Sequence, residues 1–196
     1  MKLGCGMYGL AFELEKDFWG TMQKLADAGF TAIEPLYAFP NDPALAPDSP
    51  VPAFLKTILW DDKKVAEYQP RLREMGLEIS SLHVGFFGGK DLKEGCEQLV
   101  DCAKKSGITH FLTSLEFDNE EKTLAAAELL NKAEEYLKDT GVSLGYHNHA
   151  MEFNKIADGS DRTWMDLFLE KTVSDVKCQL DTGWQMYGGS QVQICV

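Results

Sequence analysis

The chain has 196 residues, 44 % hydrophobic and 26 % charged, enough to bury one substantial core and ordinary for a globular domain. Its formal net charge of −12 argues against a nucleic-acid partner, because phosphate recognition needs a cationic surface. Five cysteines, an odd count without a Cys-x-x-Cys pair, suit free thiols in a reducing compartment better than a disulfide framework. The N-terminus lacks the apolar core of a secretory signal, and no apolar run approaches the roughly 18 residues of a membrane span. A cytoplasmic protein with no membrane partner is therefore expected.

Residues 2–8 read as a short strand. Phe18, Met22, Leu25 and Ala26 recur at helical spacing, which predicts a helix over 14–28 closed by Gly29. A second strand runs from Phe30 to Leu36, reaching Glu34 and stopping at Pro35. Five of the seven prolines then fall within 37–60. Proline fixes φ and removes a donor, so this stretch is expected to be an ordered excursion, neither helix nor inner strand. Its apolar groups (Phe39, Phe54, Leu55, Leu59, Trp60) give it something to dock.

A helix over 61–75 carries Pro70, which should kink or divide it. Gly76 ends it, and a third strand, Leu77 to Val84, holds His83 near its end. The glycine-rich loop containing Gly88 and Gly89 could hold a phosphate at a helix N-terminus. A helix follows at 91–106, then Gly107 and a fourth strand, Ile108 to Phe117, with Glu116 near its end. The clearest helix is 119–139, with Ala126, Leu129, Leu130, Ala133 and Leu137 on one face. Gly141 opens a fifth strand, Val142 to His149; a helix near 162–171 and a sixth strand, Val176 to Asp181, complete the series.

Helix, glycine, apolar strand is thus the recurring unit, which predicts parallel βαβ architecture in a single domain over 1–196. In such folds functional groups gather at the carboxyl ends of the strands. Those ends carry Glu34, His83, Glu116, His147 with His149, and Asp181. Any one of them could be a capping or solvated group. Together they predict a rim of acids and imidazoles, which suits a divalent ion such as Mn²⁺, Mg²⁺, Co²⁺ or Zn²⁺. No Walker loop occurs, which gives nucleotide binding no support from that motif.

Ser80-Ser-Leu-His83, Leu144-Gly-Tyr-His-Asn-His149-x-x-Glu152-Phe153 and Gln179-Leu-Asp-Thr-Gly-Trp184, in this order, resemble the xylose-isomerase-like TIM-barrel superfamily. Its members include sugar-phosphate isomerases and epimerases, ketose 3-epimerases, inosose dehydratases and apurinic endonucleases. The resemblance implies an α/β, TIM-barrel-like fold of about six parallel strands with outer helices. That barrel would be incomplete, since a full one takes about 250 residues and eight strands. It implies Asp181 as a metal ligand and places His147 where many members have a metal-binding glutamate. Glu152 and Glu116 are the carboxylates left to handle protons. His83, His149 and Glu34 match substrate-facing positions, and Trp184 could stack on a sugar face.

The implied activity is metal-dependent proton transfer next to a sugar carbonyl through an enediolate, by a sugar (phosphate) isomerase or epimerase. Two alternatives stand beside it. One is a non-catalytic sugar-binding remnant, inactive for want of strands seven and eight; the other is an inosose-dehydratase-like lyase. Open sheet edges would invite pairing with a second copy of the chain.

Overall fold

The structure, a computed structural model, describes residues 3–85, 91–157 and 159–189. The chain divides into two compact units, Met1–Gly85 with Gln98–Phe111, and Phe86–Glu97 with Leu112–Val196. The first opens with β1 (Gly4–Gly6), α1 (Ala11–Lys16), α2 (Phe18–Asp27), β2 (Ala32–Glu34), β3 (Leu36–Tyr37) and α3 (Ala53–Ile58). It continues through β4 (Leu59–Trp60), α4 (Asp62–Glu74), β5 (Glu78–Ile79) and β6 (Leu82–Val84). α5 (Leu92–Ser106) and β7 (His110–Thr113) each run across the division. The second unit adds α6 (Glu120–Leu137), β8 (Ser143–His147), α7 (Trp164–Lys171), β9 (Cys178–Gln179) and α8 (Thr182–Tyr187).

Helices lie between most strands, the ladders are parallel and, among the described residues, the sheets stay open, so this is an α/β fold of incomplete (β/α)-barrel type. Gly29, Gly76, Gly107 and Gly141 all take positive φ. The first three let a helix stop without a Cβ penalty; past α6 Asp139 takes the positive φ first, and Gly141 turns the chain into β8.

Several elements depart from the sequence pattern for identifiable reasons. The helix expected over 14–28 is broken at Asp17, whose φ is −154° and whose carboxylate accepts the Gly20 N–H at 2.9 Å, capping a fresh helix. The second strand does not stop at Pro35. β2 pairs with β1 and β5; past the proline, which has no N–H for the ladder, β3 pairs instead with β4 and β6. The third strand is split at Ser80–Ser81 between the same two ladders.

The proline-rich stretch is more regular than expected. It contains α3, entered through Pro52, where a missing N–H costs nothing, and β4, with Leu59 opposite Leu36 and Trp60 opposite Tyr37. Pro70 does not divide α4, which runs unbroken with Val65 and Leu72 buried on either side of it.

In the first unit Met7, Met22, Ile33, Tyr37, Phe39 and Trp60 are buried, with Tyr68 edge-on and Phe18 tilted against Trp60, and Trp19 packed on Phe18 and Tyr68. In the second, α6 packs on α7 and β8. Phe117, Tyr146 and Phe168 meet there at ring separations of 5.4, 5.0 and 4.7 Å. Each such buried ring contributes about 1.5–3 kcal/mol. Gly145 sits where β8 runs close to its neighbours: a Cβ would lie 2.9 Å from the Lys177 carbonyl oxygen. Among the described residues no helix is long and apolar enough to cross a membrane. The Gly88–Gly89 loop lies outside the described residues.

Candidate functional site

β8 and β9 pair in parallel with His147 opposite Gln179. This register brings the two side chains together: His147 Nδ1 and the Gln179 amide oxygen are 2.7 Å apart. The oxygen accepts, so Nδ1 carries the proton, and Nε2 is the nitrogen that faces Asp181 Oδ2 at 3.9 Å. The His147 side chain is 17 % exposed and that of Asp181 34 %.

Asp181 is fixed from two directions. Its Oδ1 accepts the Trp184 N–H at 2.8 Å and so caps α8. Its backbone N–H donates to Asn148 Oδ1 at 2.8 Å, while Asn148 Nδ2 donates to the Asp181 carbonyl at 3.0 Å.

β8 ends at His147, so His149 stands in the following loop, not in the strand as expected. Its ring still lies 5.7 Å from that of His147 and 5.7 Å from that of Trp184, edge-on to both. Glu152 explains how the loop is held. Its carboxylate is fully buried, and Oε1 accepts the Tyr146 hydroxyl and, at 2.9 Å, the His149 N–H. Burial first, then the adjacent carboxylate, pushes the Tyr146 phenol well above its ordinary range.

Beside these groups lies a cleft of about 620 Å³ lined by Glu116, His149, Met151, Asn154, Trp184 and Tyr187 among others. Glu116 is exposed there. The end of α8 forms part of its wall at close quarters: a Cβ on Gly188 would lie 2.3 Å from the Ala150 carbonyl oxygen. His147 and Asp181 adjoin the cleft through His149 but do not line it.

In the first unit Glu34 ends β2 and His83 lies in β6. Glu34 Oε1 is 3.8 Å from His83 Nδ1, and Oε2 accepts the Ser81 hydroxyl at 2.5 Å. Of the residues expected in the site, the second unit therefore brings together His147, Asp181, His149, Trp184 and Glu116, with Glu152 beneath them. Glu34 and His83 form a pair of their own.

A family model for the xylose isomerase-like TIM barrel matches residues 22–194. The chain belongs to the xylose isomerase-like TIM barrel family. Two sugar phosphate isomerase/epimerase structures from Parabacteroides distasonis share its fold. One is 24 % identical with a TM-score of 0.74, covering 97 % of this chain and 68 % of its own. The other is 21 % identical with a TM-score of 0.71, covering 97 % and 72 %. A xylose isomerase-like TIM barrel protein from Mycobacterium smegmatis, in complex with magnesium, is 17 % identical. It covers 92 % of this chain and 63 % of its own, with a TM-score of 0.56. No curated protein sequence matches the chain.

For this family member, sequence reasoning passed over Gln179, Asn148 and Tyr146. A signal for Asn148 was present. In His147-Asn148-His149 the middle side chain must point away from its neighbours, and an amide turned inward needs buried partners. Gln179 had none, because its contact depends on which residue of β8 it faces.

Proposed function

We propose that this family member is a sugar isomerase or epimerase that moves a proton on the carbon next to a carbonyl through an enediolate, with a divalent metal ion as cofactor. The observation that carries this reading is the His147–Asp181 pair, 3.9 Å apart at neighbouring strand ends, beside a cleft with an exposed carboxylate and an aromatic wall. The fold likeness to sugar phosphate isomerase/epimerases supports it.

An imidazole nitrogen and a carboxylate oxygen are donors that Mn²⁺, Mg²⁺, Co²⁺ and Zn²⁺ accept. The pair fits the group as two ligands. Among the described residues no cluster of three or more His, Cys, Asp or Glu side chains could hold an ion. When bound, the ion supplies Lewis-acid polarisation of the sugar carbonyl and hydroxyl.

The cleft supplies the rest. Trp184 offers a flat face to the C–H side of a sugar, and His149 and Asn154 are placed to bond its hydroxyls. Glu116, open to the cleft, takes the proton from carbon and returns it. Glu152, the other carboxylate considered for that step, is committed to Tyr146 and His149, which favours a supporting role.

The two-ligand set favours one second reading, a non-catalytic sugar-binding protein. Incubating the Mn²⁺-loaded chain with a panel of ketoses and ketose phosphates in D₂O separates the two. Deuterium should enter at the carbon beside the carbonyl, seen by proton NMR, and Glu116→Gln should abolish that exchange. Sugar binding without exchange selects the second reading, and the absence of both overturns each.

A further inference from the structure

We infer that Asn148 is a positioning residue: its amide extends the β8–β9 ladder by one side chain and thereby sets the Asp181 carboxylate and the start of α8. The inference rests on the proposed function only where metal binding is the readout.

The backbone ladder between these strands reaches His147 and Gln179 and no further. Two residues beyond Gln179, Asp181 still makes a matched pair of bonds towards β8, both to one side chain. Asn148 Oδ1 accepts its N–H at 2.8 Å and Nδ2 donates to its C=O at 3.0 Å. The same Nδ2 lies 3.3 Å from the His149 carbonyl. Asn148 is 1 % exposed, so water does not compete for these bonds.

Only a primary amide offers one acceptor and one donor in a plane at this reach. Aspartate has the same shape but would set a second acceptor against the Asp181 carbonyl. Alanine would leave both backbone groups without a partner. Glutamine adds a methylene that a buried site has no room to absorb.

What the clasp controls is downstream. With its backbone held, Asp181 uses Oδ1 to cap α8 through Trp184 and turns Oδ2 towards His147. Trp184 in turn meets the His149 ring. One buried amide therefore fixes the spacing of the His147–Asp181 pair and the aromatic wall of the cleft. Without it, the register of β9 remains but the residues after Gln179 lose their anchor. Supporting residues of this kind typically change metal affinity by about 10- to 100-fold.

The test uses the full chain labelled with 5-fluorotryptophan, Trp184→Phe assigning the Trp184 resonance. In Asn148→Asp and Asn148→Ala that resonance should move while those of Trp19, Trp60 and Trp164 stay. Mn²⁺ affinity should fall about tenfold or more. An unmoved Trp184 resonance in a folded variant overturns the inference, whatever Mn²⁺ does. If the wild type binds no Mn²⁺, the metal reading falls, and the fluorine spectrum still judges the clasp. Should both variants fail to fold, hydrogen exchange in the wild type decides. The Asp181 amide should be protected, and exchange as fast as in an open loop overturns the inference.

Discussion

Each unit holds, among the described residues, a histidine–carboxylate pair at nearly the same separation, 3.8 Å for His83–Glu34 and 3.9 Å for His147–Asp181. They differ in what fixes the carboxylate. Glu34 sits in the β1–β2 ladder and its carboxylate accepts the Ser81 hydroxyl. Asp181 is steadied through its own backbone by Asn148 and through its second oxygen by the first turn of α8. The imidazoles differ too: His83 turns Nδ1 to its acid, whereas His147 keeps Nδ1 for Gln179 and turns Nε2. Distance alone does not single out the pair proposed to hold a metal; the partners of each carboxylate and each imidazole are what differ.

The largest test of that difference is metal binding. Asp181→Ala should weaken Mn²⁺ affinity by more than about a hundredfold, beyond the loss expected for a supporting residue, while Glu34→Ala leaves it unaltered. Titration calorimetry reads both, and equal losses would break the comparison.

Glu152→Ala should come next, destabilising the fold by about 2 kcal/mol, since it strands the His149 N–H and leaves the Tyr146 hydroxyl only the Leu115 carbonyl as acceptor. Urea denaturation measures it. A cost close to zero would mean that the loop after β8 is held by something else.

Gln179→Leu keeps the strand but removes the acceptor for His147 Nδ1. Mn²⁺ affinity should fall by about tenfold while the urea midpoint stays near that of the wild type. The smallest effect is expected in the other pair. Ser81→Ala removes one hydrogen bond to Glu34 and should cost about 1 kcal/mol, with no change in Mn²⁺ affinity.

Much of this arrangement was legible before any coordinates. The helix–glycine–strand grammar located the turns at Gly29, Gly76, Gly107 and Gly141, because positive φ is a property of the residue itself. The i and i+2 spacing of His147 and His149 foretold neighbouring rings. The spacing did not say that β8 ends between them, since strand ends are set by pairing partners. Nor did it show that Glu152, an acid in a promising motif, would be sealed off by Tyr146 while Glu116 stayed open to the cleft. Burial of an acid depends on what packs over it. The split of the second and third strands at Pro35 and Ser80–Ser81 was hidden for a related reason: a continuous apolar run looks the same whether it feeds one ladder or two.

By itself the sequence determined the parallel α/β order and the family motifs, because these follow from periodicity and local conformational preference. Tertiary structure alone decided which polar groups become partners. The register of β8 on β9 set His147 against Gln179, and the amide of Asn148 held Asp181 within reach of the imidazole. Such choices join residues more than thirty positions apart, and no local rule in the chain specifies them.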